Sequence, residues 1–277
     1  MNYNLICTDI DGTLLNADRY LSDTTVSAFA NLPTDTVGVN FPTVLASSRM
    51  PSAMYYLQEG LGIKNAPLIA YNGGLILGEN GVCIESHTMP LGILEALLPH
   101  HAKYTYNLSI YADDDWFTDQ EDFWSLREIN NTRVTPTYQS ALDSLETLRK
   151  AQRAPHKLMC MGDVGEIDSI VSHLSDIYSD AVHLYRSKDT YLEITPKHID
   201  KAKALRILLE NNFDFGMDTV MAFGDNHNDE ELIKHAGFGV AVANATDQLK
   251  RLANYVSPFT NKEDAVAKAI ERFVSGQ

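Results

Sequence analysis

Short apolar runs alternate with stretches of helical period in both outer parts of the chain. Leu5-Ile6-Cys7-Thr8 predicts a buried strand over 4–9, and a helix opens after Leu21 with Ser22 as its N-cap. Val37–Ala46 contains a second buried strand, placed at Thr43–Ala46, and Pro51 starts a helix that runs through Leu57 and Leu61. Leu68-Ile69-Ala70-Tyr71 reads as a third strand, closed by the turn signal Asn72-Gly73-Gly74. After Pro196 the same texture returns. It predicts a helix over 201–211, a strand over 219–223, a helix over 229–235, a strand over 238–243 and a final helix over 263–274. Strands alternating with helices in this way predict an α/β fold built on a parallel sheet with crossover helices, Rossmann-like in character.

From about Glu85 the pattern changes. Polar and aromatic positions mix, and Leu108–Phe117, His156–Met161, Val182–Arg186 and Tyr191–Ile194 read as antiparallel strands. Amphipathic helices are expected near 91–101, 120–130 and 165–177. The expected organisation is therefore one core domain over 1–84 and 188–277, interrupted by an α+β unit over 85–187. At 277 residues the chain is long enough for this division.

A formal net charge of −15 works against nucleic acid and against anionic membrane surfaces, both of which need clustered Lys and Arg. An anionic substrate would have to be met by a few local cations. Cys7, Cys83 and Cys160 are odd in number and far apart, which fits small buried thiols in a reducing cytoplasm. No basic segment followed by a long apolar one opens the sequence, and no apolar run is long enough to span a bilayer.

The candidate chemistry lies where strands end. Asp9-Ile10-Asp11-Gly12-Thr13 puts two carboxylates, a glycine and a hydroxyl at the end of the first strand. In open α/β sheets that edge is where ligands bind. A second strand ends in Gly224-Asp225-Asn226-His227-Asn228-Asp229. If the two strands are neighbours, Asp9, Asp11 and Asp225 converge, and crowded acids of this kind call for a cation. Hard oxygen donors in small number suit Mg²⁺, and no His/Cys set at zinc spacing competes. One aspartate can serve as a covalent nucleophile and another as acid and base, giving Asp9 and Asp11 those roles. Gly12 lets the backbone turn beneath a phosphate. Ser47 and Ser48 follow a strand and offer hydroxyls and backbone donors. Lys201 starts a helix, where the dipole disfavours a cation, so it makes better sense pointing at carboxylates and phosphate.

These ordered motifs resemble the haloacid dehalogenase (HAD) superfamily, specifically its Cof-type (IIB) sugar-phosphatase-like branch. Asp9-Ile10-Asp11-Gly12-Thr13, Ser47, Lys201 after Leu192–Lys197, and Gly224–Asp229 resemble its four motifs; Tyr71-Asn72-Gly73-Gly74 and Val240–Asn244 match its flanks. The resemblance spans essentially the whole chain, with the middle block in the place of a cap domain of the C2B type. It implies Mg²⁺ held by Asp9, Asp225 and the backbone carbonyl of Asp11. It also implies phosphate contacts from Ser47, Ser48, Lys201 and Asn228, with Asp229 acting through a water or by orienting Lys201. The implied activity is Mg²⁺-dependent hydrolysis of small phosphomonoesters, sugar phosphates or related metabolites, through an aspartyl-phosphate. The implied protein is cytoplasmic, a monomer or homodimer, without nucleic-acid or membrane partners. Four positions depart from the common pattern: Ser48, His198 and Ala202 stand where glycine is usual, as does Ala265 near the C-terminus. Two other functions fit the same residues: a phosphomutase, and a non-catalytic regulator that binds a phosphorylated metabolite. Binding alone would not require Asp11.

Several residues read more simply. Arg49 is expected to be a structural ion-pairing residue, Asn72 and Asn244 turn residues, and His227 solvent-exposed. His100-His101 is expected to be an exposed pair and Asp113-Asp114-Asp115 a solvated turn.

Overall fold

A computed structural model describes residues 3–33 and 41–274 of the chain. Within it the chain divides into two compact units, one made of 1–49, 54–85 and 200–277, the other of 50–53 and 86–199.

The chain runs through β1 (Leu5–Thr8), α1 (Asp23–Ala30), β2 (Thr43–Ala46), α2 (Ser52–Gly60), β3 (Leu68–Ala70), β4 (Leu75–Leu77) and β5 (Cys83–Ser86). It continues with α3 (Leu91–His101), β6 (Asn107–Ala112), β7 (Asp115–Thr118), α4 (Phe123–Thr132), β8 (Thr137–Tyr138) and α5 (Ala141–Lys150). Then come β9 (Lys157–Met161), α6 (Val164–Tyr178), β10 (Val182–Lys188) and β11 (Tyr191–Pro196). The last stretch holds α7 (Lys201–Asn212), β12 (Val220–Gly224), α8 (Glu230–His235), β13 (Phe238–Ala241), α9 (Asp247–Leu252), β14 (Tyr255–Val256) and α10 (Ala265–Phe273).

In the first unit eight strands lie in the order β14-β13-β12-β1-β2-β3-β4-β5. The pairs from β14 to β3 are parallel, and β4 returns antiparallel to β3. The central strands are buried throughout, which is why they read as unbroken apolar runs. Leu205, Leu208 and Leu209 of α7 join Cys7, Val44, Ile69 and Val220 in the core of this unit. Ser22 caps α1 as expected, its side chain accepting from the backbone N–H of Thr25. The approach to β2 at 37–40 lies outside the described residues.

In the second unit six strands lie in the order β10-β11-β9-β6-β7-β8. Ile93, Leu97, Leu108, Ile110, Leu158, Ile170 and Leu192 form its core with α3, α5 and α6. The segment 108–117 is a hairpin, with Ile110 opposite Phe117 and Ala112 opposite Asp115. Its turn is held by ions: Arg153 Nε donates to Asp113 Oδ2 at 2.6 Å and Nη1 to Asp115 Oδ2 at 2.7 Å. The return to the first unit falls at Asp200 and not at 188, because β11 pairs with β10 and β9 and so belongs to the second sheet. His100 and His101 are not an exposed pair: His100 Nε2 meets Ser169 Oγ and His101 Nε2 meets Asp119. Cys7 and Cys160 are buried, whereas Cys83 is exposed.

Leu205 is fully buried in the core that carries α7. Leu205→Ala is expected to lower stability by about 2–5 kcal/mol, the usual range for a large-to-small core change. Equilibrium denaturation should show a reduced midpoint at unchanged m-value.

Candidate active site

The parallel register decides which residues meet. β1 pairs with β12 so that Thr8 stands beside Phe223, and with β2 so that Thr8 stands beside Leu45. Each strand then ends at the same edge, delivering Asp9, Asp225 and Ser47 together. Asp9 is anchored there by its backbone N–H, which donates to Phe223 O at 3.0 Å.

After β1 the chain makes one tight turn over Ile10–Leu14, with Gly12 at φ +86°. A side chain at Gly12 would put its Cβ 2.4 Å from Asp225 Oδ2. Glycine is required on both counts, for the left-handed backbone and for the close approach of the turn to Asp225. Thr13 Oγ1 donates to Asp225 Oδ1 at 3.1 Å, a partner that the sequence motif did not single out.

Lys201 is the first residue of α7 and is 0% exposed. Its Nζ donates to Asp9 Oδ1 at 2.6 Å and to Asp229 Oδ1 at 2.7 Å. Asp229 Oδ2 accepts from the backbone N–H groups of Asp225 (3.0 Å) and Asn226 (3.1 Å). Both oxygens of Asp229 are thus engaged, which makes it the bracket that holds Lys201 and the Asp225 loop. Asp9 retains Oδ2 and Asp225 retains Oδ2 for another partner.

Asp9, Asp225 and Asp229 offer carboxylate oxygens within 4.8 Å of one another. Burial pushes the Asp9 carboxyl well above its usual range; Asp229 and Asp225 add to the rise, and Lys201 opposes it. Burial, then Asp229, pushes Asp225 up to about 7. Both carboxyls therefore repel a second negative charge until a cation joins them, and hard oxygens in this number fit a divalent metal. Asp9 and Asp225 are the residues free to hold it. Burial and then Asp229 and Asp9 act on Lys201; the two carboxylates win and raise its ammonium above the usual lysine range.

The Asp11 side chain leaves this cluster. Arg49 Nε donates to Asp11 Oδ2 at 2.7 Å and Nη2 to Oδ1 at 2.8 Å. Arg19 Nη1 adds a contact to Oδ1 at 3.1 Å. Burial alone would raise the Asp11 carboxyl, but the hydrogen bonds and charge of Arg49, helped by Arg19, bring it below its ordinary value. Arg49 is only 4% exposed and is locked from behind by Tyr56 OH at 3.1 Å. Its ion-pairing character was legible, but its partner was not.

Ser47 is buried and its Oγ accepts from the backbone N–H of Arg49 at 3.2 Å; Ser48 is partly exposed on the same loop. Asn228 Nδ2 donates to Asn72 Oδ1 at 3.0 Å. Asn244 Nδ2 donates to Gly12 O at 2.8 Å and so fixes the turn after β1. His227 is exposed and meets Glu230. No helix among the described residues is long and apolar enough to cross a membrane.

Residues 6–270 match the haloacid dehalogenase-like hydrolase family. A 5-amino-6-(5-phospho-D-ribitylamino)uracil phosphatase of Bacillus subtilis is 30% identical over 284 residues, covering 99% of this chain and 97% of its own. An HMP-PP phosphatase of Yersinia enterocolitica is 28% identical over 249 residues, covering 90% of this chain and 87% of its own. The crystal structure of a haloacid dehalogenase-like hydrolase from Bacteroides thetaiotaomicron superposes with a TM-score of 0.85 at 28% identity, covering 98% of this chain and 99% of the other.

The raised Asp225 carboxyl fixes the sign of a pH effect. An unfolded aspartate titrates near ~3.9, so in the metal-free protein the proton bound to Asp225 favours the fold below that pH. This contribution is lost as pH rises toward about 7. A divalent cation bound there would take the proton's place. The rise in Tm on adding Mg²⁺ to chelator-treated protein is therefore expected to be larger at pH 8 than at pH 5.5, and Asp225→Asn should flatten that difference. Differential scanning fluorimetry across pH measures both.

Proposed function

The chain belongs to the haloacid dehalogenase-like hydrolases, enzymes acting on phosphoric monoesters, and on that footing we propose an Mg²⁺-dependent phosphatase of small phosphorylated metabolites working through an aspartyl-phosphate. The observation that carries this reading is the state of Asp9. Lys201 holds Oδ1, so Oδ2 is the oxygen presented as nucleophile. In the first half-reaction Asp9 Oδ2 bonds to phosphorus and the bond from phosphorus to the leaving oxygen breaks. Asp11 supplies the proton that turns that oxygen into an alcohol. In the second, water attacks the phosphorus and gives a proton back to Asp11. The Asp9–phosphorus bond breaks, and inorganic phosphate leaves with the Asp9 carboxylate restored.

Arg49 and Arg19 hold Asp11 ionised, the form that receives the proton from water. Delivering a proton to the leaving group needs a bound substrate that draws a guanidinium away from it. The carboxylates of Asp9 and Asp225, with the backbone carbonyl of Asp11, would hold Mg²⁺, which would supply charge neutralisation at the phosphoryl oxygens. Ser47, Ser48, Lys201 and Asn228 bind those oxygens. The activities of the relatives, one on a phosphoribityl compound, favour a sugar phosphate or a related metabolite as substrate.

Hydrolysis of p-nitrophenyl phosphate tests the mechanism. Activity is expected to disappear on chelation and to return with Mg²⁺, and Asp9→Asn should lower kcat by about 10⁴- to 10⁶-fold, the scale on which single members of a catalytic unit are lost. Asp11→Asn should slow alkyl phosphates much more than p-nitrophenyl phosphate, whose leaving group needs no proton. Turnover that survives either chelation or Asp9→Asn would falsify the reading.

A further inference from the structure

The turn after β3 has an unusual backbone. Tyr71, Asn72 and Gly73 follow one another at φ of +54°, +56° and +111°. Glycine adopts such values freely and asparagine does so more readily than most residues, but a bulky side chain there is strained. Tyr71 is nevertheless fully buried in this conformation. Strain of this kind persists only where the surroundings impose it, and it concentrates at working sites.

The surroundings here are the two phosphate-contacting segments. The backbone N–H of Asn72 donates to Ser47 O at 2.8 Å, and that of Tyr71 donates to Arg49 O at 3.1 Å. The turn thus grips the Ser47-Ser48-Arg49 loop on both sides of Ser48, the residue that stands where glycine is usual. The Asn72 side chain reaches the other way, and its Oδ1 accepts from Asn228 Nδ2 at 3.0 Å. α7, which carries Lys201, packs against the same turn. One residue therefore joins the loop after β2 to the loop after β12, reaching Asn228 from 156 positions away.

We propose that Asn72 is a positioning residue for phosphate binding: its carboxamide holds that of Asn228, and its backbone sets the loop that carries Ser47. One N–H of Asn228 is spent on Asn72, which leaves the other fixed in direction and free for a phosphate oxygen. This rests on the phosphatase reading above and adds a residue to it. The expectation that Asn72 is only a turn residue covers its backbone and misses its side chain.

Glycine separates the two arms, since Asn72→Gly keeps the left-handed turn and removes the carboxamide. The readout is competitive inhibition of p-nitrophenyl phosphate hydrolysis by inorganic phosphate in the Mg²⁺-loaded enzyme. Asn72→Gly is expected to weaken phosphate binding about tenfold, the scale of one hydrogen bond to a charged group. Asn228→Ala should do the same, and the double variant should be no worse than either single one. Asn72→Asp keeps an acceptor for Asn228 and should keep the bound geometry, with a residual loss that high salt reduces. Unchanged phosphate inhibition in Asn72→Gly, or losses that multiply in the double variant, would overturn the proposal. Failure of the underlying phosphatase reading would show separately, as turnover that survives Asp9→Asn.

Discussion

The site depends on one buried cation. Lys201 has no exposure and sits between Asp9 and Asp229. An ammonium taken out of water costs several kcal/mol, and attraction to opposite charge in good geometry is what offsets it. Here two of its three protons meet carboxylates at 2.6 and 2.7 Å. The lysine also stands at the first position of α7, the end where the helix dipole opposes a cation. Two carboxylates outweigh a dipole effect of about 0.3–1 kcal/mol. The arrangement holds only if both acids remain, so Lys201, Asp9 and Asp229 form one unit and not three separate motif residues.

From that unit the geometry extends along the backbone. Asp229 accepts from the N–H groups of Asp225 and Asn226, so the position of Lys201 also sets the loop carrying Asp225. Gly224 permits this, since a Cβ there would come within 2.5 Å of Asp229 Cβ. Gly12 plays the matching part on the other strand, where a Cβ would collide with Asp225. Two glycines thus let two strand ends close on one another, and the charges do the rest. Asn244 then ties the Gly12 carbonyl to the far end of the chain, where Asn244 Oδ1 accepts from the N–H of Asn261.

Much of this was legible in the sequence because the signals were local. Strand ends marked by Asp9, Asp225 and Ser47 are read from apolar runs that stop abruptly, and a parallel sheet brings such ends to one edge. Ser22 was legible as a cap for the same reason. What escaped were pairings across long separations. Nothing near Arg49 announces that its guanidinium forks onto Asp11, 38 positions away, or that Arg19 joins it. Asn72 carries an ordinary turn signal, so its bond to Asn228 was invisible. The end of the second unit was misplaced because β11 carries a strand signal that does not say which sheet it enters. The elements β4, β5, β8, α5, α9 and β14 went unread, the strands because two to four residues carry too little periodicity to register.

The electrostatics of the site run against the charge of the whole molecule. The chain carries −15, a field that repels a phosphate ester at long range. Close in, four carboxylates (Asp9, Asp11, Asp225 and Asp229) face three cations, Lys201, Arg49 and Arg19. Counted with every group ionised and no metal, the balance is still negative by one charge; burial, with the neighbouring acids behind it, raises the Asp9 and Asp225 carboxyls. The divalent ion proposed between them would reverse the sign, and a cluster that repels an anion would then attract it, while Arg49 and Arg19 keep the fourth carboxylate from cancelling the gain. Screening over a Debye length of about 8 Å weakens the pull of the distant surface acids, so a substrate in the site is governed mainly by the local charges.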